Sequence, residues 1–211
     1  MKALVVRQPG GIDAMKIESI PDPVAGARDV VIKVEACGVC FHDVLTRNGT
    51  LKAGVKLPCI LGHEISGTVV DVGREVSRFK AGDRVATAQR YYICGACRYC
   101  RSGRETLCPD RKFLGDWGLV GGYGEYVAVG DDNVAAVPEG VPLADASIAS
   151  CAIGTLLNGL RDVGKLPIQE DPFANREFTM MQKLSRCLPT LASIAVGVRP
   201  VYILVAHSGV P

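Results

Sequence analysis

The sequence lacks any apolar stretch long enough to cross a bilayer. The longest late run, LASIAVGVRPVYILVA, is interrupted by Arg199 and Pro200 and falls short of the roughly 20 residues that a span needs. The opening MKALVV is too short for a signal peptide, and Arg7 closes it. A one-sided charge is missing too. Twenty-four Lys and Arg against 22 Asp and Glu leave a formal charge of +2, which favours neither a nucleic-acid nor a membrane partner. These absences predict a soluble, cytoplasmic chain, and the 48% hydrophobic and 22% charged composition is that of an ordinary globular protein.

Cysteine, by contrast, is plentiful. Nine in 211 residues is a high count for a reducing compartment, where disulfides do not persist, so metal binding or catalysis explains them better. Four fall within CGACRYCRSGRETLC, at Cys94, Cys97, Cys100 and Cys108. Two-residue gaps let neighbouring thiolates bend toward one point, and the longer return supplies a fourth corner. That pattern suits a tetrahedral Zn²⁺ with four sulfurs, a closed and structural site. Arg98, Arg101 and Arg104 stand nearby and can offset the net negative charge of such a site. A disulfide-stapled or redox loop is the alternative, although three evenly spaced cysteines pair poorly. An iron–sulfur cluster is another.

A second group is spread along the chain. EACGVCFHDV and LGHEISGTVVDVG supply Cys40, His42, Asp43, His63 and Glu64, and ASCAIGT supplies Cys151. Cys40, His63 and Cys151 make a Cys₂His set that leaves a fourth position for water or an alcohol oxygen, as a catalytic zinc requires. Two thiolates and a neutral imidazole balance the dication, so an alkoxide is tolerated beside it. Asp43 suits the remaining nitrogen of His63. Each piece has a plainer reading when taken singly: GHE arises by chance, Cys151 serves as a small core residue, and His42 sits on a helix surface. The ordered combination is the stronger signal.

GVCFHD, LGHEISGTVVDVG, FKAGDRV, CGACRYCRSGRETLC, GGYGEYV and ASCAIGT together resemble the zinc-dependent alcohol dehydrogenases of the medium-chain dehydrogenase/reductase superfamily. The likeness runs over residues 1–167. It implies a mostly β, GroES-like catalytic domain with short helices, holding one catalytic and one structural zinc. It also implies alcohol oxidation or carbonyl reduction of a small molecule with NAD or NADP. By this resemblance Cys40, His63 and Cys151 bind the catalytic metal and Glu64 lies close behind it. Thr155 falls where the family touches the nicotinamide. Two positions depart from the pattern. Phe41 cannot meet a cofactor phosphate, and His42 stands where Ser or Thr usually begins a proton relay. A histidine there can take the proton itself, since its ordinary pKa is near neutrality.

Local patterns support this fold. KALVV, DVVIKVEA, ISGTVVDV, GEYVAV and VAAVP are short β-rich runs bounded by Gly, Asp and Pro. HDVLTRN predicts about two helical turns ending at Asn48–Gly49. PLADASIASCAIGTLLNGLRDVG has helical spacing, with Leu143, Ile148, Cys151 and Leu156 expected on the buried side.

Residues 168–211 break the pattern. They contain no G-x-G-x-x-G, and a βαβ unit alone needs about 30 residues. The expectation is therefore a catalytic domain over 1–167 and a divergent tail over 168–211, with the doubly wound cofactor domain absent. A helix is expected over 175–188, and Cys187 and His207 have no ligand-spaced neighbours. A chain of this kind is either an oxidoreductase or a truncated, catalytically inactive zinc-binding domain. Uncovered apolar surface predicts a homo-oligomer or an aggregation-prone protein.

Overall fold

The computed structural model describes residues 1–157. The tail over 168–211, the helix expected there, Cys187 and His207 lie outside the described residues. The described chain is mostly β. Its strands are β1 (Lys2–Val6), β2 (Met15–Ser19), β3 (Asp29–Gly38), β4 (Cys59–Ile60), β5 (Glu64–Val72), β6 (Arg84–Thr87), β7 (Arg90–Tyr92), β8 (Lys112–Phe113), β9 (Tyr126–Gly130) and β10 (Val134–Ala136). Three short helices intervene: α1 (Phe41–Arg47), α2 (Arg98–Arg101) and α3 (Leu143–Ser147). Among the described residues no helix is long and apolar enough to cross a membrane.

The strands form a five-stranded sheet in the order β10-β6-β5-β3-β9, a three-stranded sheet β2-β1-β4 and a ribbon β7-β8. All of these pairings are antiparallel. The core lies on β3, β5, β6 and β9, where Val30, Ile32, Ile65, Val69, Val85, Val127 and Val129 are buried together with Leu114. These β-branched side chains are stiff and pack well on a pleated surface. Burying each large one contributes about 1.5–3 kcal/mol.

Strand register then positions the chemistry. Cys37 pairs with Ile65 and Gly38 with Glu64 at the end of the β3–β5 ladder, so the Cys40 segment leaves the sheet directly beside Glu64 and His63. Gly38 is needed there, because a Cβ would run into the Glu64 carboxylate. α1 starts at Cys40, whose backbone N–H donates to Asp43 Oδ2 at 2.8 Å. It ends at Asn48, followed by Gly49 at φ +78°, as the sequence predicts.

The expected helix after Pro142 differs in detail. α3 ends at Ser147 and a π-helical turn follows at Ala149–Ile153. The extra residue in that turn shifts the helical spacing. Ala146, Ser147 and Ala149 are buried instead of the predicted face, and Leu156 is 44% exposed.

Candidate metal centres

The loop between β7 and β8 brings the first four cysteines together. Cys97–Cys100 sulfurs are 3.5 Å apart, Cys94–Cys108 3.7 Å and Cys94–Cys100 4.0 Å. All four ligand atoms lie within 4.8 Å of one another. Tetrahedral zinc with bonds of ~2.3 Å places its sulfurs about 3.8 Å apart, so the cluster has the size of that tetrahedron. A disulfide needs about 2.05 Å, and all four thiols are free. Backbone N–H groups already face the sulfurs: Cys97 N donates to Cys94 Sγ at 3.3 Å, and Cys100 N to Cys97 Sγ at 3.5 Å. N–H donation from Ala96 and Cys97 holds the Cys94 thiol down to about 7. The nearby arginines are placed differently from expectation. Arg98 lies over the Tyr99 ring at 4.6 Å and Arg104 at 5.6 Å, and Arg98 donates to the Tyr99 hydroxyl at 2.6 Å.

The second set is assembled from distant parts of the chain. Cys40 comes from the start of α1, His63 and Glu64 from the β4–β5 junction, and Cys151 from the π-helical turn. Their ligand atoms lie within 4.8 Å of one another, with Cys40 Sγ and Cys151 Sγ 4.0 Å apart. His63 is fully buried, yet neither ring nitrogen has a hydrogen-bond partner. Leaving a buried imidazole in that condition is costly. Its Nδ1 faces Asp43 Oδ1 at 3.5 Å, which leaves Nε2 as the free donor atom. A divalent cation among two thiolates and that nitrogen fits this donor set.

Asp43 is the hub that holds the imidazole side. Its carboxylate accepts from Cys40 N at 2.8 Å, Gly62 N at 3.0 Å and the Tyr123 hydroxyl at 3.1 Å. Burial raises the Asp43 pKa, but the His63 contact and these backbone donors outweigh it and lower the value overall. Gly62 has φ +93°, and a Cβ on it would meet the Tyr123 ring and Cys37 Sγ, both at 2.7 Å. The residue before His63 must therefore be glycine on both counts.

The protonation states fit the same chemistry. Cys151 and His63 hold the Cys40 thiol down to about 4. Burial pushes His63 down, but Asp43 and Cys40 outweigh it and bring the imidazole up to about 10. Cys151 is raised by its contact with Cys40 and by burial. Anion and proton thus share one point that a cation can take over. Glu64, expected behind the metal, comes within reach as a fourth donor, and burial raises its pKa.

His42 does not sit free on the helix surface. Its Nε2 is 2.7 Å from Asp116 Oδ2, and Asp116 Oδ1 accepts from Thr46 Oγ1 at 2.9 Å. The His42 and His63 rings meet edge-on at 5.2 Å. Asp116 is buried and lies 74 residues from His42, too far for sequence spacing to suggest. Thr155 is exposed, in the helical turn over 154–157 that follows Cys151.

Comparison with known proteins agrees with this architecture. The alcohol dehydrogenase GroES-like domain family matches residues 26–139. An alcohol dehydrogenase of Geobacillus stearothermophilus is 38% identical over 167 residues, covering 79% of this chain and 48% of that protein. An acryloyl-coenzyme A reductase of Sulfurisphaera tokodaii is 35% identical over 164 residues, 78% of this chain and 48% of the reductase. Among solved structures, an NAD-dependent alcohol dehydrogenase superposes with a TM-score of 0.72 at 31% identity, covering 77% of this chain and 47% of that one. The chain belongs to the alcohol dehydrogenase family through its GroES-like domain. It spans about half the length of the curated relatives it matches.

Proposed function

We propose that this chain carries the zinc sites of an oxidoreductase that interconverts small alcohols and carbonyl compounds with NAD or NADP. The observation that carries the reading is the buried His63, its ring nitrogens unpartnered, set against two cysteine sulfurs. Cys40, His63 and Cys151 would hold the catalytic zinc, and Cys94, Cys97, Cys100 and Cys108 a structural one. A zinc bound at the first set supplies Lewis acidity that makes an alcohol hydroxyl easier to deprotonate.

The chain's own groups then divide the work. Asp43 orients His63. Glu64 supplies a carboxylate that competes for the open side of the donor set. His42, anchored through Nε2 on Asp116, offers Nδ1 to receive the hydroxyl proton. Thr155 is assigned to the nicotinamide end of the cofactor. Residues 1–211 contain no G-x-G-x-x-G turn to fix a pyrophosphate. A nicotinamide must be held within about 3–3.5 Å of the reacting carbon for positioning to accelerate hydride transfer. This favours a second reading for the 211 residues on their own: a zinc-loaded domain that binds NADH and NADPH weakly and does not turn over.

Cobalt substitution tests the open site without hydride transfer. With two Co²⁺ bound, imidazole should shift the visible spectrum of the wild-type chain, and the shift should vanish in Cys151→Ser. A spectrum indifferent to imidazole removes the catalytic assignment. An alcohol-dependent absorbance assay with NAD and NADP should give no turnover. Steady turnover that disappears in Cys40→Ala would overturn the second reading.

A further inference from the structure

The loop that supplies Asp116 continues into Trp117, the one tryptophan in the sequence, and two lysines sit on its ring. Lys112 Nζ is 4.4 Å from the ring centroid and Lys56 Nζ 5.3 Å. Lys112 Nζ also lies 4.9 Å from the Tyr92 ring centroid. Backbone hydrogen bonds fix the platform. Lys56 N donates to Asp116 O at 2.8 Å, Gly118 N to Lys56 O at 2.9 Å, and Ile60 N to Gly118 O at 3.1 Å. Lys112 is held from the other side by its pairing with Tyr92 in the β7–β8 ribbon.

Two ammonium groups over one indole lie close enough to repel, since screening at physiological salt acts over about 8 Å. Among the described residues neither has a carboxylate partner. The adjacent Asp116 does not neutralise them, because its oxygens are taken by His42 Nε2 and Thr46 Oγ1. The ring attracts both cations through its π face and holds their stems in place. The result is a pre-ordered pair of charged donors, one residue along the chain from the carboxylate that anchors His42.

We propose that Lys56 and Lys112, held over Trp117, bind a phosphate group carried by the substrate. This rests on the oxidoreductase reading above and adds a substrate class to it: alcohols or carbonyl compounds with a phosphorylated end. A phosphate dianion relieves the repulsion between the two ammoniums and accepts a charge-assisted hydrogen bond from each.

Trp117 reports directly on its own site. The zinc-loaded full chain is titrated with glycerol 1-phosphate while tryptophan emission is followed, with KCl at equal ionic strength as the blank and ADP as a separate arm. Glycerol 1-phosphate should change the emission saturably. The apparent affinity should fall with added salt and drop at least roughly tenfold in the Lys56→Met/Lys112→Met double variant, a change equivalent to one decade in the binding constant. Lys80→Met, a change at an exposed lysine elsewhere, should leave it unchanged. A response no larger than the KCl blank overturns the proposal, as does saturable binding that the double variant retains. Saturation by ADP alone assigns the pair to a nucleotide and overturns the substrate assignment. None of these readings uses turnover or the cobalt spectrum, so the oxidoreductase reading stands or falls separately.

Discussion

The two metal-type clusters are built in opposite ways. The four-sulfur set closes within one loop, its sulfur contacts joining residues 3, 6 and 14 apart. The Cys40–Cys151 contact spans 111 residues and exists only once β3, β5 and the π-helical turn are all in place. The first set has four like ligands around a closed centre. The second combines two sulfurs, an imidazole and a carboxylate, with Asp43 orienting the imidazole. A closed local site stabilises its own loop. An open site assembled at long range instead takes its geometry from the fold and has donor capacity left for a substrate.

That contrast can be tested by breaking each half separately. The largest effect is expected from Cys100→Ser. Structural zinc sites contribute apparent binding energies of about 10–16 kcal/mol in isolated modules, so the loop around Cys94–Cys108 should lose its fixed structure. Zinc per chain, measured by elemental analysis, should fall from two to one while the imidazole-sensitive cobalt signal persists. Loss of both metals would mean that the clusters are not independent. Cys40→Ala should also remove one metal, this time the imidazole-sensitive one, with hydrogen-exchange protection retained across β3 and β5. Widespread deprotection would show that the open site also supports the fold.

Smaller changes sharpen the comparison. Ile32 is fully buried in the five-stranded sheet, and Ile32→Ala should cost about 2–5 kcal/mol. Denaturant melts of the zinc-loaded chain check this. A change below about 1 kcal/mol would place the stability elsewhere. Asp43→Asn keeps the shape but removes the charge facing His63, and groups of this kind typically govern metal affinity by 10–100-fold. Competition with a chromophoric chelator should show that loss at one site only. Tyr123→Phe deletes a single donor to Asp43, worth about 1 kcal/mol or less. It should shift the same competition curve by roughly tenfold at most and leave the four-sulfur site untouched.

Legibility in the sequence follows the same division. The closed cluster is visible because its ligands are near neighbours in one polar loop. Five of the strands are visible because Gly, Asp and Pro bound their β-branched runs. β2, with the sequence MKIES, mixes polar and apolar residues and gives little signal, although it pairs with β1 over its whole length. The open cluster is legible only as an ordered series of weak motifs. Its supporting contacts are not legible at all: Asp116 reaches His42 across 74 residues and Tyr123 reaches Asp43 across 80, distances that no periodicity encodes. Tyr123 left one clue, since it stands among glycines in GGYGEY, where close backbone approach is expected. The arginines near the four cysteines show the reverse error. Charge balance points them at the sulfurs, but the neighbouring Tyr99 ring offers Arg98 and Arg104 a closer partner.

The π-helical turn at Ala149–Ile153 also acts as an angular spacer. Each residue of an α-helix turns the chain by about 100°, so a turn with one residue too many rotates everything beyond it relative to α3. Deleting one residue here, such as the exposed Ala152, would let the turn revert to α-geometry. Thr155 and the backbone that continues past it would then face a direction about a quarter-turn away. The heading of the chain beyond the metal ligand therefore depends on the number of residues in this turn as well as on their identity.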